Sequence, residues 1–520
     1  MDEQRRHDRP DRRTVIASGL AFAGTAALAG APAKSRLTLH PDRVLNEIPA
    51  NYSGFSVETA QLSDPSYYEA GNTSLIALHR RLSPNGVLRI GGNSSEFCYW
   101  KSSPDVGPQQ IKLAGLGRAG NTMPQHFTPI TPQAVTNLRG FLDACSWNCI
   151  YGLNFGTGSP ARDAEEAAAV ADVLGARLLY FQIGNEPDLY TTANNLLRPA
   201  GWGFSDYMRQ WLAIAQAVCA RVPNARFGGP DVTLSADWIA RFAREAPKRL
   251  GQRIVGLSGH YYASGPPQSP AVNIANLLKP APAIAEEMLG IMPAARAAGL
   301  PFRITEANSC YRGGKPGMSN ALASALWGGD YMLEMAALGG KGVNFHGGSG
   351  KEIAASVGDK LPGVRNAADE KIARLGTFYS PFAGNRSEGF SARPLFYAMM
   401  MVEQFANTRL IATAFEARGA NATAYAAKTA DGLRIALFNK EPSADFEIEI
   451  DLNTAARGAT LWRLTGPRLD AISGIALAGA QIAPGSADWQ PATVETVRVA
   501  GRSLTVSLPR ASAALIFARS

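Results

Sequence analysis

Two glutamates that each close an apolar run are the side chains best suited to chemistry. Glu186 follows the run 178–184, and Glu306 ends the run 301–306. A carboxylate in such a place is costly unless it is paired or used. Two carboxyl groups that face each other can hydrolyse a glycosidic bond: one protonates the leaving oxygen, and the other, ionised, attacks or stabilises the anomeric carbon. The alternative for either glutamate alone is a salt bridge to a neighbouring Arg or Lys.

The elements around these glutamates repeat eight times as a strand followed by a helix. The predicted strands are 53–58, 87–92, 150–155, 178–184, 225–229, 254–260, 301–306 and 342–346. The predicted helices are 73–82, 132–145, 161–174, 204–222, 236–250, 283–298, 320–337 and 393–407. This count predicts a (β/α)8 TIM barrel over residues 51–407, with a doubly wound sheet as the alternative. In such a barrel both glutamates lie at the C-terminal ends of strands, where active sites are found.

The pattern changes after residue 407. Alternating or β-branched runs separated by turn residues occupy 410–415, 423–427, 433–438, 445–450, 459–464, 493–499 and 503–516. They predict a C-terminal β-sandwich over residues 408–520. We expect residues 34–50 to supply an N-terminal strand to that sandwich before the chain enters the barrel.

Residues 1–33 are typical of an export signal. Several arginines precede an apolar, Ala/Gly-rich run over 15–30, and small residues follow it. The pair Arg12-Arg13 resembles a twin-arginine signal, which predicts a periplasmic or secreted protein. A disordered tail is the alternative. The rest of the chain has no apolar stretch of about 18 to 20 residues, so no membrane span is expected in the mature protein.

Composition excludes several other classes. The 520 residues are 46% hydrophobic and 18% charged, which is too apolar for a disordered chain. The net charge is +8, but no basic strip is interleaved with aromatic residues, so we expect no nucleic-acid partner. The five cysteines are an odd number, and neither they nor the six histidines have zinc-ligand spacing. We predict no metal and no organic cofactor.

The ordered motifs resemble a known family. Asn185-Glu186-Pro187 and the later Glu306 look like clan A glycoside hydrolases, and the finer match is to glycoside hydrolase family 79, the β-glucuronidase and heparanase family. The motifs that carry the finer match are Gly54-Phe55-Ser56-Val57-Glu58, Leu88-Arg89-Ile90-Gly91-Gly92, Gly259-His260-Tyr261-Tyr262, Thr305-Glu306-Ala307-Asn308-Ser309, Tyr379-Ser380-Pro381-Phe382 and Ala392-Arg393-Pro394. The resemblance covers nearly all of the chain after residue 33.

This resemblance implies a role for each matched residue. Glu186 is the expected acid/base, Glu306 the nucleophile of a retaining mechanism, and Asn185 the ligand of the sugar 2-hydroxyl. Tyr262 is expected to keep the nucleophile ionised. The remaining predicted substrate-binding residues are Glu58, Asn93 and His260 around the sugar, and Tyr311 with the backbone N–H groups of Gly313, Gly347 and Gly348 around a uronate carboxylate.

One departure leaves the carboxylate site open. Some family members have a tyrosine shortly after the eighth-strand glycines, where this chain has Ser349-Gly350-Lys351. Lys351 or Arg312 is the candidate replacement. The expected substrate is a β-glucuronide or a uronic-acid-containing glycan. The alternatives are another clan A activity, such as a β-xylosidase or arabinofuranosidase, and a non-catalytic carbohydrate-binding barrel. Exo or endo action and the oligomeric state stay undecided.

Overall fold

The structure, a computed structural model, describes residues 34–108, 127–192, 197–358 and 361–519. The predicted signal segment 1–33 lies outside the described residues. Within them, none of the helices combines the length and the apolar character that a membrane crossing requires.

Strands and helices alternate through most of the described chain. The strands are β1 (Lys34–Ile48), β2 (Ser53–Glu58), β3 (Val87–Gly91), β4 (Cys98–Trp100), β5 (Thr128–Ile130), β6 (Asn148–Leu153), β7 (Leu178–Ile183), β8 (Phe227–Thr233), β9 (Ile254–Tyr262), β10 (Phe302–Asn308), β11 (Val343–Gly347), β12 (Phe382–Asn385), β13 (Gly389–Ala392), β14 (Thr408–Glu416), β15 (Ala422–Thr429), β16 (Gly432–Asn439), β17 (Phe446–Asp451), β18 (Gly458–Thr465), β19 (Ala476–Leu477), β20 (Glu495–Val497), β21 (Val499–Ala500), β22 (Ser503–Leu508) and β23 (Ser512–Arg519). The helices are α1 (Thr73–Leu82), α2 (Pro132–Cys145), α3 (Pro160–Leu174), α4 (Phe204–Arg221), α5 (Ala236–Leu250), α6 (Ile274–Leu277), α7 (Pro282–Ala298), α8 (Leu322–Ala337), α9 (Gly350–Ser356), α10 (Ala367–Leu375) and α11 (Pro394–Glu403).

Eight parallel strands close into a barrel, which confirms the predicted fold class. The order around the barrel is β2, β3, β6, β7, β8, β9, β10 and β11, and β11 pairs with β2 to close the ring. β2, β3, β10 and β11 are buried along their whole length, as expected for strands covered on both faces. All eight C-terminal ends point to the same face of the barrel.

Local signals fix several helix ends. Thr131 precedes α2 and its side chain accepts a hydrogen bond from the backbone N–H of Ala134, and Pro132 occupies the first helical position. Gly299 ends α7 with a φ of 66°, which glycine adopts without the steric cost that a Cβ imposes. These caps explain why the sequence predicted helix bounds within a few residues.

The fifth barrel strand is longer than the sequence predicted. The sequence predicted a strand over 225–229, but β8 runs from Phe227 to Thr233. Its pairing with β9 has an irregular register between Pro230 and Val232, which accommodates the missing N–H of Pro230. As a result Asp231 lies within the strand and is buried in the barrel.

The C-terminal strands form a separate curled sheet, so the second, sandwich-like part of the fold class is also confirmed. Its order is β19, β18, β23, β16, β15, β14, β1, β17, β22 and β21, with β20 paired to β18. β1 lies antiparallel to β14 and parallel to β17. The sheet encloses an apolar core of its own, to which Leu37 and Leu39 of β1 contribute.

Candidate active site

The barrel brings the two predicted catalytic carboxylates together. Glu186 follows β7 and Glu306 lies near the end of β10. One oxygen of each carboxylate and one ring nitrogen of His260 lie within 4.8 Å of one another. The two strands are separated by β8 and β9, so only a closed barrel can bring these carboxylates into contact distance.

Glu306 is held in its ionised form. Arg89 donates to its Oε2 at 2.6 Å, and the hydroxyl of Tyr262 donates to its Oε1 at 2.7 Å. Burial acts to raise the pKa of Glu306, but His346, His260 and Arg89, with the Tyr262 hydrogen bond, outweigh it and lower that pKa to about 2. A carboxylate that stays charged at neutral pH is what a nucleophile requires.

Arg89 is the centre of the buried network. Its guanidinium, almost fully buried, forms an ion pair with Asp231 in addition to Glu306. It also donates to Oδ1 of Asn185 at 2.9 Å and to Oε1 of Gln182 at 3.1 Å. A planar guanidinium can serve these acceptors at once because its five N–H groups have a fixed geometry. Arg89 therefore sets the relative positions of side chains from β3, β7, β8 and β10.

Asp231 supports both catalytic candidates. Its Oδ1 accepts from the hydroxyl of Thr305 at 2.5 Å, and its backbone carbonyl accepts from the N–H of Glu186 at 2.8 Å. Burial acts to raise the pKa of Asp231, but Arg89 and His260 hold it well below its usual range. Asp231 follows the predicted strand 225–229, and the sequence predicted no role for its carboxylate.

His260 lies between Glu186 and Asp231. Its Nδ1 is 3.1 Å from Oε1 of Glu186, and its Nε2 is 3.0 Å from Oδ1 of Asp231. Burial acts to lower the pKa of His260, but Asp231 and Glu306 outweigh it and raise that pKa to about 10. The imidazolium thus holds the Glu186 carboxylate in position, and the expected contact of His260 with the sugar stays a prediction.

Glu186, His260 and Glu306 could also be considered as ligands of a metal ion, since their polar atoms converge. The surrounding charges argue against that use. Glu306 already accepts from Arg89 and Tyr262, and His260 is positively charged at neutral pH. A further cation would be repelled by both positive side chains.

The predicted sugar-binding residues flank this pair. Asn185 donates through Nδ2 to Oδ1 of Asn93 at 3.1 Å. Oε2 of Glu58 accepts from the backbone N–H and the hydroxyl of Ser94, at 2.8 and 2.7 Å. Gly92 precedes this loop with a φ of 73°, and a Cβ there would lie 2.4 Å from the Glu58 carboxylate. The close approach of the backbone to Glu58 therefore requires glycine.

Glu96 is a residue of this site that the sequence did not single out. It is buried below the Asn185-Glu186 loop, where its Oε1 accepts from the backbone N–H of Asn185 at 2.5 Å and its Oε2 accepts from the N–H of Gly156. Burial raises the pKa of Glu96 to about 7, against the opposing effect of a Tyr190 hydrogen bond. No sequence signal distinguishes it, because its partners are backbone groups.

The raised pKa of Glu96 predicts a pH-dependent stability. Because the pKa of Glu96 is 4.5 ordinarily and about 7 in the folded state, the folded state binds the proton more tightly than the unfolded state does. The stability that this provides is complete below pH 4.5 and is lost as the pH rises to about 7. Glu96→Gln should therefore flatten the fall in the free energy of unfolding between pH 5 and pH 7, measured by urea denaturation. Glu370→Gln, at an exposed position of α10, is the control, and equal slopes for Glu96→Gln and the wild type would contradict the prediction.

The residues predicted to face a carboxylate lie on the loops after β10 and β11. Tyr311 is 37% exposed, and its ring centroid lies 6.3 Å from that of Tyr262. A Cβ at Gly313 would approach the side chain of Thr377 to 3.7 Å, and the backbone N–H of Thr377 donates to the carbonyl of Gly348 at 3.4 Å. Gly347 ends β11. Tyr311 therefore lies beside Tyr262, and Gly313 and Gly348 lie near Thr377, outside the hydrogen-bond network around Arg89.

The two candidate cations differ in position. The side chain of Lys351 is 89% exposed, with its Nζ 3.9 Å from the carboxylate of Glu352. The guanidinium of Arg312 lies 5.9 Å from the ring centroid of Tyr311. Arg312 is therefore the cation beside Tyr311, whereas Lys351 extends into solvent on α9.

Comparison with known proteins places the fold among glycoside hydrolases. No protein-family model matches the chain. Two curated relatives, both β-glucuronidases, are 25% identical over 366 residues (Aspergillus niger) and 26% identical over 359 residues (Neurospora crassa). The matches cover 63% and 61% of this chain but only 65% and 62% of the relatives, which is less than two thirds of their length.

Solved structures agree with the architecture. A 4-O-α-L-rhamnosyl-β-D-glucuronidase from Fusarium oxysporum 12S matches 92% of this chain and 99% of its own with a TM-score of 0.67 and 17% identity. A family 51 arabinofuranosidase from Xanthomonas axonopodis pv. citri matches 94% and 100% with a TM-score of 0.62 and 16% identity. The chain has the barrel-and-sheet fold of clan A glycosidases, and the β-glucuronidase relatives fit a glycoside hydrolase.

Proposed function

We propose that this protein is a retaining glycoside hydrolase that releases β-linked glucuronic acid. The observation that carries the proposal is the carboxylate pair, with oxygens of Glu186 and Glu306 within 4.8 Å. Retaining enzymes place their carboxyl groups about 5 to 5.5 Å apart, whereas inverting ones leave about 6.5 to 9.5 Å for a water molecule. The short separation favours a covalent intermediate.

The surroundings of the two carboxylates suggest their roles. Glu306, ionised and fixed by Arg89 and Tyr262, attacks the anomeric carbon while the bond to the leaving oxygen breaks. Glu186 gives that oxygen its proton. Water then enters, Glu186 accepts a proton from it, and the bond between Glu306 and the sugar is hydrolysed with the β-configuration regained. Asn185, which Arg89 and Glu96 hold, would bind the 2-hydroxyl.

The preference for a uronate is supported by the named relatives and by the loops after β10 and β11. Tyr311 and the N–H groups of Gly313, Gly347 and Gly348 would bind the carboxylate by hydrogen bonds. We further propose membership of glycoside hydrolase family 79, without choosing between a β-glucuronidase and a heparanase-like action, and export through the twin-arginine-type segment 1–33. Arabinofuranosidase action is the second candidate, because several solved arabinofuranosidases share the fold.

Stereochemistry tests the retaining mechanism. Proton NMR of the hydrolysis of an aryl β-glucuronide should show the β-anomer as the first product, because two displacements restore the starting configuration. The α-anomer should appear only later, by mutarotation. An initial α-anomer would reject the covalent intermediate and the proposed role of Glu306.

The role of Glu186 predicts a dependence on the leaving group. Glu186→Ala should lower kcat/KM on a phenyl glycoside by about 10² to 10⁴, the usual contribution of general acid catalysis. A dinitrophenyl glycoside needs little protonation, so its first step should be nearly unaffected. Azide should then rescue the second step and give a β-glycosyl azide. Equal loss on both substrates without rescue would contradict the assignment, and Glu165→Gln, at an exposed position of α3, is the control.

A further inference from the structure

A cavity opens at the end of the barrel opposite to Glu186 and Glu306. Its volume is about 640 Å³. The residues that line it lie at or before the N-terminal ends of β7, β8, β9, β10 and β11, together with the segments that join the barrel to β1 and β14. It therefore shares no lining residue with the candidate active site. We call it the basal cavity.

The lining of the basal cavity is strongly positive. Its charged residues are four cations and one acid: Arg226, Arg303, Lys341, Arg409 and Glu47. Glu47 is paired with Arg409 at 3.5 Å, and both side chains are about two-thirds exposed, so this pair is screened by solvent. The charge of Glu47 also acts on Lys341, and the lining holds no other carboxylate to oppose Arg226 and Arg303.

Arg303 is buried yet has neutral partners. It donates to Oδ1 of Asn344 at 2.8 Å and to the backbone carbonyls of Tyr52, at 3.4 Å, and Asn51. Its guanidinium lies so close to Gly342 that a Cβ there would meet it at 2.1 Å, so glycine is required for this position of the side chain. Buried charges are normally paired with an opposite charge, and here the cavity itself is the available place for one.

Lys341 and Arg226 are held at the entrance by neutral groups as well. Lys341 donates to Oδ1 of Asn46 at 2.7 Å and to the carbonyl of Glu47 at 2.8 Å, which leaves one of its three N–H groups available. Arg226 donates through Nη2 to the carbonyl of Leu178 at 3.2 Å. Both side chains keep donors for a ligand.

The rest of the lining combines apolar residues with the polar Asn51, Asn407 and Thr408. Ile48 and Leu257 are buried, and Leu179 and Val255 are half-buried around the ring of Tyr180. A cavity of this volume falls within the range of about 300 to 1,000 Å³ that small-molecule sites occupy. Inorganic anions need no apolar wall, whereas an organic anion would use both the wall and the cations.

We propose that the basal cavity is a binding site for a small organic anion, whose carboxylate, sulfate or phosphate group faces Arg303, Arg226 and Lys341 while its apolar part contacts Leu179 and Val255. The proposal does not depend on the proposed hydrolytic function. Arginine and lysine N–H groups bind such oxyanions through charge-assisted hydrogen bonds, which are stronger than neutral ones.

A fluorescent organic anion tests this assignment. 8-Anilinonaphthalene-1-sulfonate should bind the full chain with increased fluorescence, and Arg226→Met combined with Lys341→Met should weaken that binding by about tenfold or more, since each loses a charge-assisted hydrogen bond. Arg253→Met is the matched control, because Arg253 also caps a basal carbonyl, that of Pro223, but does not line the cavity. It should change the Kd less than about twofold.

Competition with the fluorescent probe distinguishes binding of an organic anion from binding of an inorganic one. 2-Naphthoate should displace the probe at lower concentration than inorganic sulfate, and both should lose effect in the double variant. Equal Kd values for the probe in the wild type and the double variant would overturn the proposal, as would sulfate competing as well as 2-naphthoate. The thermal unfolding midpoint of each variant, expected to match the wild type, excludes misfolding as the cause of lost binding.

Discussion

Replacing Glu306 by glutamine is expected to lower kcat at least about 10⁴-fold on every aryl glycoside, whatever the leaving group. The amide keeps the shape of the side chain, so Arg89 and Tyr262 retain an atom to contact. It cannot form the ester with the anomeric carbon that double displacement requires. Single-turnover kinetics with a dinitrophenyl glycoside should show no burst of phenol.

The control for this variant is a half-buried glutamate outside the site. Glu403 of α11 accepts from the hydroxyl of Ser53 at 2.5 Å, and burial raises its pKa to about 7. Glu403→Gln should leave kcat within about twofold of the wild type, because it keeps the same acceptor oxygen and touches no catalytic candidate. If both variants lost activity, the loss in Glu306→Gln would be explained by disturbed packing rather than by the missing nucleophile. A Glu306→Gln enzyme with a normal burst would exclude Glu306 as the nucleophile.

The position of the catalytic pair could be predicted from the sequence because barrel topology converts strand ends into neighbours. Glu186 and Glu306 are 120 residues apart, yet each follows an apolar run that had to be a strand. Once eight strand–helix repeats predicted closure, both residues were assigned to one face. This prediction needed only the periodicity of apolar residues along the chain, and it did not depend on the contacts of any side chain.

The network that fixes the pair was less accessible to sequence analysis. Arg89 was visible as part of a motif, but its ion pairs to Asp231 and Glu306 depend on the register of β3, β8 and β10. Asp231 enters that network because β8 continues past residue 229, where the sequence predicted its end. A sequence pattern reports where a strand is favoured, whereas these contacts follow from how the strands pair.

The buried charges also explain why role assignments from residue type alone were incomplete. Between two carboxylates His260 becomes a cation that holds Glu186, a contact that its residue type alone did not predict. Glu96 showed no motif and yet supports the backbone of Asn185. In both cases the role is set by the charge of neighbours that are distant in sequence.

The second large effect is expected at carbon 6 of the sugar. The aryl β-glucuronide should be preferred over the β-glucoside and the β-xyloside by about 10⁴ in kcat/KM, because a site built around a polar group is left with unpaired buried donors when that group is missing. In this chain Gly313, Gly347 and Gly348 are buried, and Tyr311 is the exposed side chain on the same side of the site.

Tyr311→Phe tests which groups provide this preference. Loss of the hydroxyl should lower kcat/KM on the glucuronide by about tenfold and leave glucoside hydrolysis nearly unchanged, since only the uronate loses a hydrogen bond. Phenylalanine keeps the ring that contacts Tyr262, so the nucleophile should keep its position. Comparable wild-type rates on glucuronide and xyloside would reject the uronate site. They would favour a neutral-sugar glycosidase that uses the same Glu186 and Glu306, because the contacts of Arg89 to Glu306, Asn185 and Asp231 involve none of the residues proposed to bind the uronate.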